Sequence, residues 1–204
     1  MTASTIRGEH QAHAAHDPSV SQRLGVILLI IGDLSFVVSL MFTYFYLRGL
    51  NTDGGWIPAG AKTLPVASGW IIAVPVILSV AAYLWGLQGI RTGDSRRLGL
   101  GVLLGLLLVL VGLGLQVDRL VTMPFSPGTG SYASIVITIG GYHLVHLLVT
   151  LVLGLGIWSR ARRGLFSRDA YWHAQFVGYW WTWVAISAVL FAFTTSFIAS
   201  PHVV

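Results

Sequence analysis

The sequence predicts an all-α integral membrane protein: a bundle of five transmembrane helices with its N-terminus in the cytoplasm and its C-terminus outside. Three observations carry that expectation. Hydrophobic residues fill 55% of the 204 positions and charged residues only 9%, whereas a soluble domain uses about 25% charged residues to cover its surface. Five apolar stretches are each long enough to cross a hydrocarbon layer of ~30 Å at ~1.5 Å per helical residue. The basic residues are shared unequally between the two sets of connecting segments.

Taken in order, the first twenty residues are polar and contain no short apolar core before a cleavage site, so residues 1–20 are expected to form a cytoplasmic tail and not a secretory signal. Its His10, His13 and His16 are read as solvated side chains. Residues 21–200 make the membrane domain. Its spans are expected at Leu24 to Leu47, Gly69 to Ile90, Leu98 to Val117, Tyr132 to Trp158 and Tyr171 to Ile198. Helices are the expected form because they satisfy their own backbone where water is absent. The segment from Gly49 to Ser68, with Gly54, Gly55, Pro58 and Pro65, reads as an external linker, and so does MPFSPGTGS before the fourth span.

Orientation follows from the loops. Arg7 and Arg23 precede the first span, Arg91, Arg96 and Arg97 follow the second, and Arg160, Arg162, Arg163 and Arg168 follow the fourth. Arg48, Lys62 and Arg119 lie on the other side, so the twelve basic residues divide nine to three. The positive-inside rule places the richer side in the cytoplasm. A pI near 10.0 invites a nucleic-acid partner, but these residues sit between apolar stretches and form no basic stripe, which argues against one. The chain has no cysteine, and this excludes a disulfide, an iron–sulfur cluster or a thiolate-held dinuclear copper centre built by this chain alone.

Few residues point to chemistry. Asp33 lies nine residues into the first apolar stretch, about 14 Å from its cytoplasmic end by the helical rise. A carboxylate at that depth costs roughly 2.5–3.5 kcal/mol on insertion scales, so a partner or a function should offset it. The cheapest state is a neutral acid donating one hydrogen bond. A proton-exchanging or lipid-headgroup site and a plain helix-to-helix hydrogen bond both remain open for it. His143 and His146 stand at i and i+3 on one face of the fourth span. A bis-histidine haem needs a second ring at the same depth on another helix, and His173 sits at the membrane edge, so hydrogen-bonded histidines in a polar seam are expected there. No catalytic residue and no metal ligand is assigned.

Packing signals complete the reading. Gly101 and Gly105 form a small-xxx-small pair in the third span, where another backbone is expected to approach closely. Pro75 should kink the second span, with Ser79 or Ser68 satisfying the freed carbonyl. The aromatic block Phe176, Tyr179, Trp180, Trp181 and Trp183 fits an interfacial belt or core packing better than an electron-transfer wire.

The run QRLGVILLIIGDLSFVVSLMFTYFYLR resembles the helix of haem-copper oxidase subunit III in which an acid, usually glutamate, follows a small residue; Asp33 stands at that acid. SYASIVITIGGYHLVHLLVTLVLG is closer still, with Tyr132, Ala133, Ser134, Gly141, Tyr142, His143 and His146 in register with the family's pattern. The resemblance spans all five helices and is to the short, five-helix bacterial type. There are departures. Gln116 is followed by Arg119 where the family has an acid, and Tyr179-Trp180-Trp181-Thr182-Trp183-Val184 lacks the family's closing histidine and acid.

The resemblance implies a non-catalytic third subunit with no cofactor of its own, haem and copper being held by partner subunits. It implies packing beside oxidase subunits I and II in a bacterial cell (inner) membrane, phospholipid in a cleft between helices, and support of proton uptake, with Asp33, His143 and His146 as proton- or lipid-linked residues. Two other readings stand beside it: an accessory subunit of a nitric oxide reductase, and a small transporter built around Asp33 and the kinked second span.

Overall fold

The computed structural model describes residues 18–51, 55–57, 60–168 and 170–198. Among them are five helices long and apolar enough to span a membrane: α1 (Pro18–Leu50), α2 (Ala67–Arg91), α3 (Ser95–Val121), α4 (Ser131–Arg162) and α5 (Trp172–Thr194). The expected tail, with its three histidines, lies almost wholly outside the described residues, as do Gly54 and Pro58 of the first linker. Each helix outruns the apolar stretch that announced it or stops short of it by a few residues. The apolar length sets the span, while backbone hydrogen bonding carries α4 on through Arg160 and Arg162 into the polar zone. At its far end α5 stops at Thr194, where Thr195 N–H and hydroxyl both donate to the Phe191 carbonyl, at 2.9 and 2.8 Å.

The tightest pairing is α2 against α3. They are joined by a short turn in which Gly93 takes φ +90°, a left-handed conformation that glycine adopts without strain. Asp94 then caps α3 by accepting from the Arg97 amide at 3.1 Å. Beyond the turn the two backbones touch: a Cβ placed on Gly101 would come within 2.5 Å of Gly86 Cα and 2.7 Å of the Ala82 carbonyl. Gly105 serves differently. Its missing side chain leaves room for the Ser79 carbonyl and for the indole of Trp181, which would lie 3.1 and 3.2 Å from a Cβ. Both expected packing glycines therefore face inward, onto this chain's own helices.

Trp181 is fully buried at the centre of the bundle. Its ring stacks at a tilt on Tyr83, 4.5 Å between centroids, and Gly154 of α4 also makes room for it. Its Nε1 donates to the Ser79 hydroxyl at 2.9 Å. That hydroxyl donates in turn to Val76 O at 2.6 Å, so Ser79 does not serve the carbonyl one turn before Pro75 as expected. The reason is reach: a serine hydroxyl bonds back three or four residues, and the carbonyl freed by Pro75 lies eight residues before Ser79. α2 remains helical through Pro75, and the Val76 and Pro75 side chains lie against Gly112 of α3.

α1 is the least embedded helix. Leu28, Phe36, Val38 and Phe42 are half or more exposed, as expected of a helix facing lipid on most of its circumference. Among the described helices it meets α4 and α5 alone. At one end it is fastened by Tyr44, whose hydroxyl donates to the Phe197 carbonyl at 3.2 Å. The segment read as a linker belongs to that same contact. Trp56 is fully buried, packs edge-on against Tyr44 and Tyr132, and donates Nε1–H to the Ile198 carbonyl at 3.0 Å. A tryptophan among glycines and prolines was the available signal.

Candidate functional site

Halfway along the bundle, three helices bring polar side chains to one carboxyl group. Asp33 is close to the midpoint of α1 (Pro18–Leu50) and His146 close to that of α4 (Ser131–Arg162). His146 Nε2 lies 3.0 Å from both Asp33 oxygens. Tyr142 Oη donates to Asp33 Oδ1, and Trp183 Nε1 of α5 donates to Oδ2. Both members of the pair are largely buried, with side-chain exposures of 8% for His146 and 15% for Asp33.

The hydrogen bonds constrain where protons lie. His146 Nδ1 is 2.8 Å from the Tyr142 carbonyl, which is only an acceptor, so Nδ1 carries a proton. Were Nε2 and the carboxyl both deprotonated, a lone pair and an anion would face each other at 3.0 Å. With one proton between them the two groups form either neutral acid with neutral imidazole or carboxylate with imidazolium. Either way the pair has no net charge, which answers the insertion cost of an acid at this depth. Beyond the single donated bond expected of a neutral acid, Asp33 also accepts from Trp183 and Tyr142.

The imidazole is held on every side. Trp180 stacks on it at 5.3 Å and 16° between planes, and Tyr142 lies 4.0 Å away, centroid to centroid. Trp180 Nε1 donates to Thr150 Oγ1 at 3.1 Å, and Thr150 donates to the His146 carbonyl at 2.8 Å. The aromatic block of α5 is thus core and not belt: Trp180, Trp181 and Trp183 are all buried, and each indole N–H finds an acceptor on another helix, as hydrocarbon surroundings require.

His143, one turn from His146, belongs to a separate network. Its Nδ1 lies 3.3 Å from Gln116 Oε1 on α3, and Gln116 Nε2 donates to the Gly140 carbonyl at 3.0 Å. Gly140 lets this amide in, since a Cβ there would meet Gln116 Nε2 at 3.1 Å. The His143 Nε2 atom has no polar partner among the described residues. The structure thus joins Asp33 to His146 and leaves His143 with α3, although sequence spacing puts the two histidines on one face. Tyr142 and Trp183 were not singled out as partners of Asp33, and Gln116 was not singled out as that of His143. Among the described residues no group of three or more His, Asp or Glu side chains is gathered as a metal-binding set.

The pair joins the two sequence runs that carry the resemblance, Asp33 from the first and His146 from the second. A family profile described as cytochrome c oxidase subunit III matches residues 1–200. The chain belongs to the cytochrome c oxidase subunit III family. Proteins named cytochrome c oxidase subunit 3 are similar to it across most of its length. That of Prototheca wickerhamii is 22% identical over 91% of this chain and 72% of its own. For Rattus norvegicus the figures are 24%, 88% and 73%, and for Thermostichus vulcanus 24%, 88% and 91%. Membership of the subunit III family favours neither a transporter nor a nitric oxide reductase accessory subunit. It makes the chain a multi-pass membrane subunit of an oxidase complex, and not the catalytic one.

Proposed function

We propose that this chain is the third subunit of a haem-copper terminal oxidase in a bacterial cell membrane, where it packs beside subunits I and II and supports proton uptake. Haem and copper reside in those partners, and this chain holds none. The observation that carries the reading is the Asp33–His146 pair, two titratable groups sharing one proton at mid-membrane depth in a chain of the subunit III family. A pair that is neutral in both proton arrangements can pass a proton across 3.0 Å without creating a net charge in hydrocarbon, which suits exchange with a proton path in a neighbouring subunit. The nine-to-three division of basic residues supports a cytoplasmic N-terminus.

Phospholipid is the proposed small partner. A cleft of about 540 Å³ opens between α1, α4 and α5, lined by Gly25, Leu29, Val152, Gly156 and Phe176, with Arg160 and His173 also on its wall. Apolar walls with the Arg160 guanidinium at their edge suit an acyl chain below a phosphate. Purification of the tagged chain from its native membranes tests the proposal. A haem-containing complex should co-purify, and its proton uptake during turnover should slow in Asp33→Asn. Stoichiometric haem bound to the isolated chain would overturn the assignment of the cofactors to partners, and an unchanged proton uptake in Asp33→Asn would remove Asp33 from the proton route.

A further inference from the structure

The opposite face of α4 carries a second feature that the proton pair does not use. Two adjoining cavities, of about 580 and 320 Å³, share Trp158 and Arg162. At about 100° per residue, Trp158, Ala161 and Arg162 point nearly opposite to Val152, Gly156 and Arg160 of the α1 cleft. The floor is apolar, formed by Leu100 and Leu103 of α3 and by Trp158, and the rim carries Arg96, Arg162 and Arg163. All three arginines are exposed, and among the described residues none lies within ion-pair distance of a carboxylate. Asp94, two residues before Arg96, accepts from the Arg97 amide at 3.1 Å. The Arg162 guanidinium lies over the Trp158 ring at 4.8 Å, so positive charge stands at the boundary between the apolar floor and the polar rim.

An excess of arginine on one side of a membrane protein needs no ligand, because it sets topology. Convergence of three on two adjoining cavities is a different matter, and the shape of that groove selects among anions. A soluble phosphate has no use for the leucine floor, which continues along α3 into residues exposed to hydrocarbon, Leu100 at 55% and Leu104 at 49%. An amphiphile uses both parts: acyl chain along the leucines, and a phosphodiester held by guanidinium groups that match its geometry in pairs of hydrogen bonds. We propose that the α3–α4 groove is a binding site for an anionic phospholipid, selected over zwitterionic lipid by Arg96, Arg162 and Arg163. The proposal needs only the membrane-spanning fold, so its fate is separate from that of the proton pair.

The test uses the full chain, alone and in its complex, in phosphatidylcholine nanodiscs doped with lipids brominated on the acyl chain. Quenching of Trp158 fluorescence is read as the difference between the parent and Trp158→Phe. Brominated phosphatidylglycerol should quench Trp158 at a mole fraction at least about tenfold below that needed for brominated phosphatidylcholine, since each arginine near an anionic headgroup contributes about fivefold in affinity. The preference should vanish when the three arginines become glutamine and persist in part when they become lysine. Millimolar inorganic phosphate should leave the quenching unchanged. Equal quenching by the two lipids in the parent chain would overturn the proposal even if the glutamine variant failed to fold. Preference retained without the arginines would do the same. Displacement by inorganic phosphate would make this a free-anion site, and loss of the quenching within the complex would assign the groove to a protein partner.

Discussion

At Asp33, the two possible roles of a buried acid differ in what they ask of the side chain. A structural role needs only acceptors for Tyr142 and Trp183, and an asparagine carbonyl can supply part of that. Proton exchange needs the ionisable group itself. Asp33→Asn should therefore fold and assemble but lose the shared proton. Asp33→Ala leaves two donors without a partner and should lower stability by about 1–2 kcal/mol, the upper range measured for buried polar contacts between membrane helices. Unfolding in detergent measures the second effect and proton uptake by the complex the first. Equal proton uptake in the parent, Asn and Ala complexes would leave only the structural role. His146 should behave as the same unit: the effects of Asp33→Asn and His146→Gln on stability should be less than additive, because each change removes the same contact.

Element contacts predict a contrast among glycines. Gly101→Ala drives a methyl group into Gly86 Cα and the Ala82 carbonyl, and backbone cannot rotate aside, so the cost should be about 1–3 kcal/mol. Gly114, on the same helix, has nothing within 4 Å of its would-be Cβ. Gly114→Ala should be neutral or stabilising by up to about 1 kcal/mol, because alanine is the better helix former. Thermal unfolding of the two variants in detergent decides this, and a harmless Gly101→Ala would mean that α2 and α3 do not touch as described. The loop before α2 gives the second test at this scale. Trp56 fills a space against Tyr44 and Tyr132, so Trp56→Ala should cost about 3–5 kcal/mol and expose the 51–66 segment to added protease. Trp56→Phe, which keeps most of the packing and gives up the bond to Ile198 O, should lose far less.

For the whole molecule, orientation is the open property that a direct measurement settles. The absence of native cysteine leaves a clean background for single-cysteine labelling. With the N-terminus in the cytoplasm, Lys62→Cys should react with an impermeant thiol reagent added to intact cells, while Arg168→Cys should react only after lysis. The reverse pattern would invert the topology. The loose hold on α1 also belongs to this scale. Among the described helices it touches α4 and α5 alone, and the Asp33 cluster is its polar attachment at mid-membrane. Loss of the cluster should therefore raise amide exchange along α1 more than along α2 and α3, which glycine contacts keep together.

Five spans, their order and the absence of thiol chemistry were legible in the sequence, because apolar length and composition act locally and a bilayer leaves the backbone few alternatives to a helix. The acid at Asp33 and the histidines at His143 and His146 were legible too, since a costly residue in an apolar run stands out on its own. Their pairing was not. Spacing along α4 gives both histidines nearly the same direction, and only the positions of α1 and α3 around that helix send His146 to Asp33 and His143 to Gln116. In the same way, Gly101 and Gly105 announced a close contact without naming its partner, and the cluster Trp180, Trp181 and Trp183 hid that each indole N–H crosses to a different helix. Hydropathy is a property of one segment, whereas a hydrogen bond between helices depends on the rotation of both about their axes, and tertiary packing alone decides that rotation.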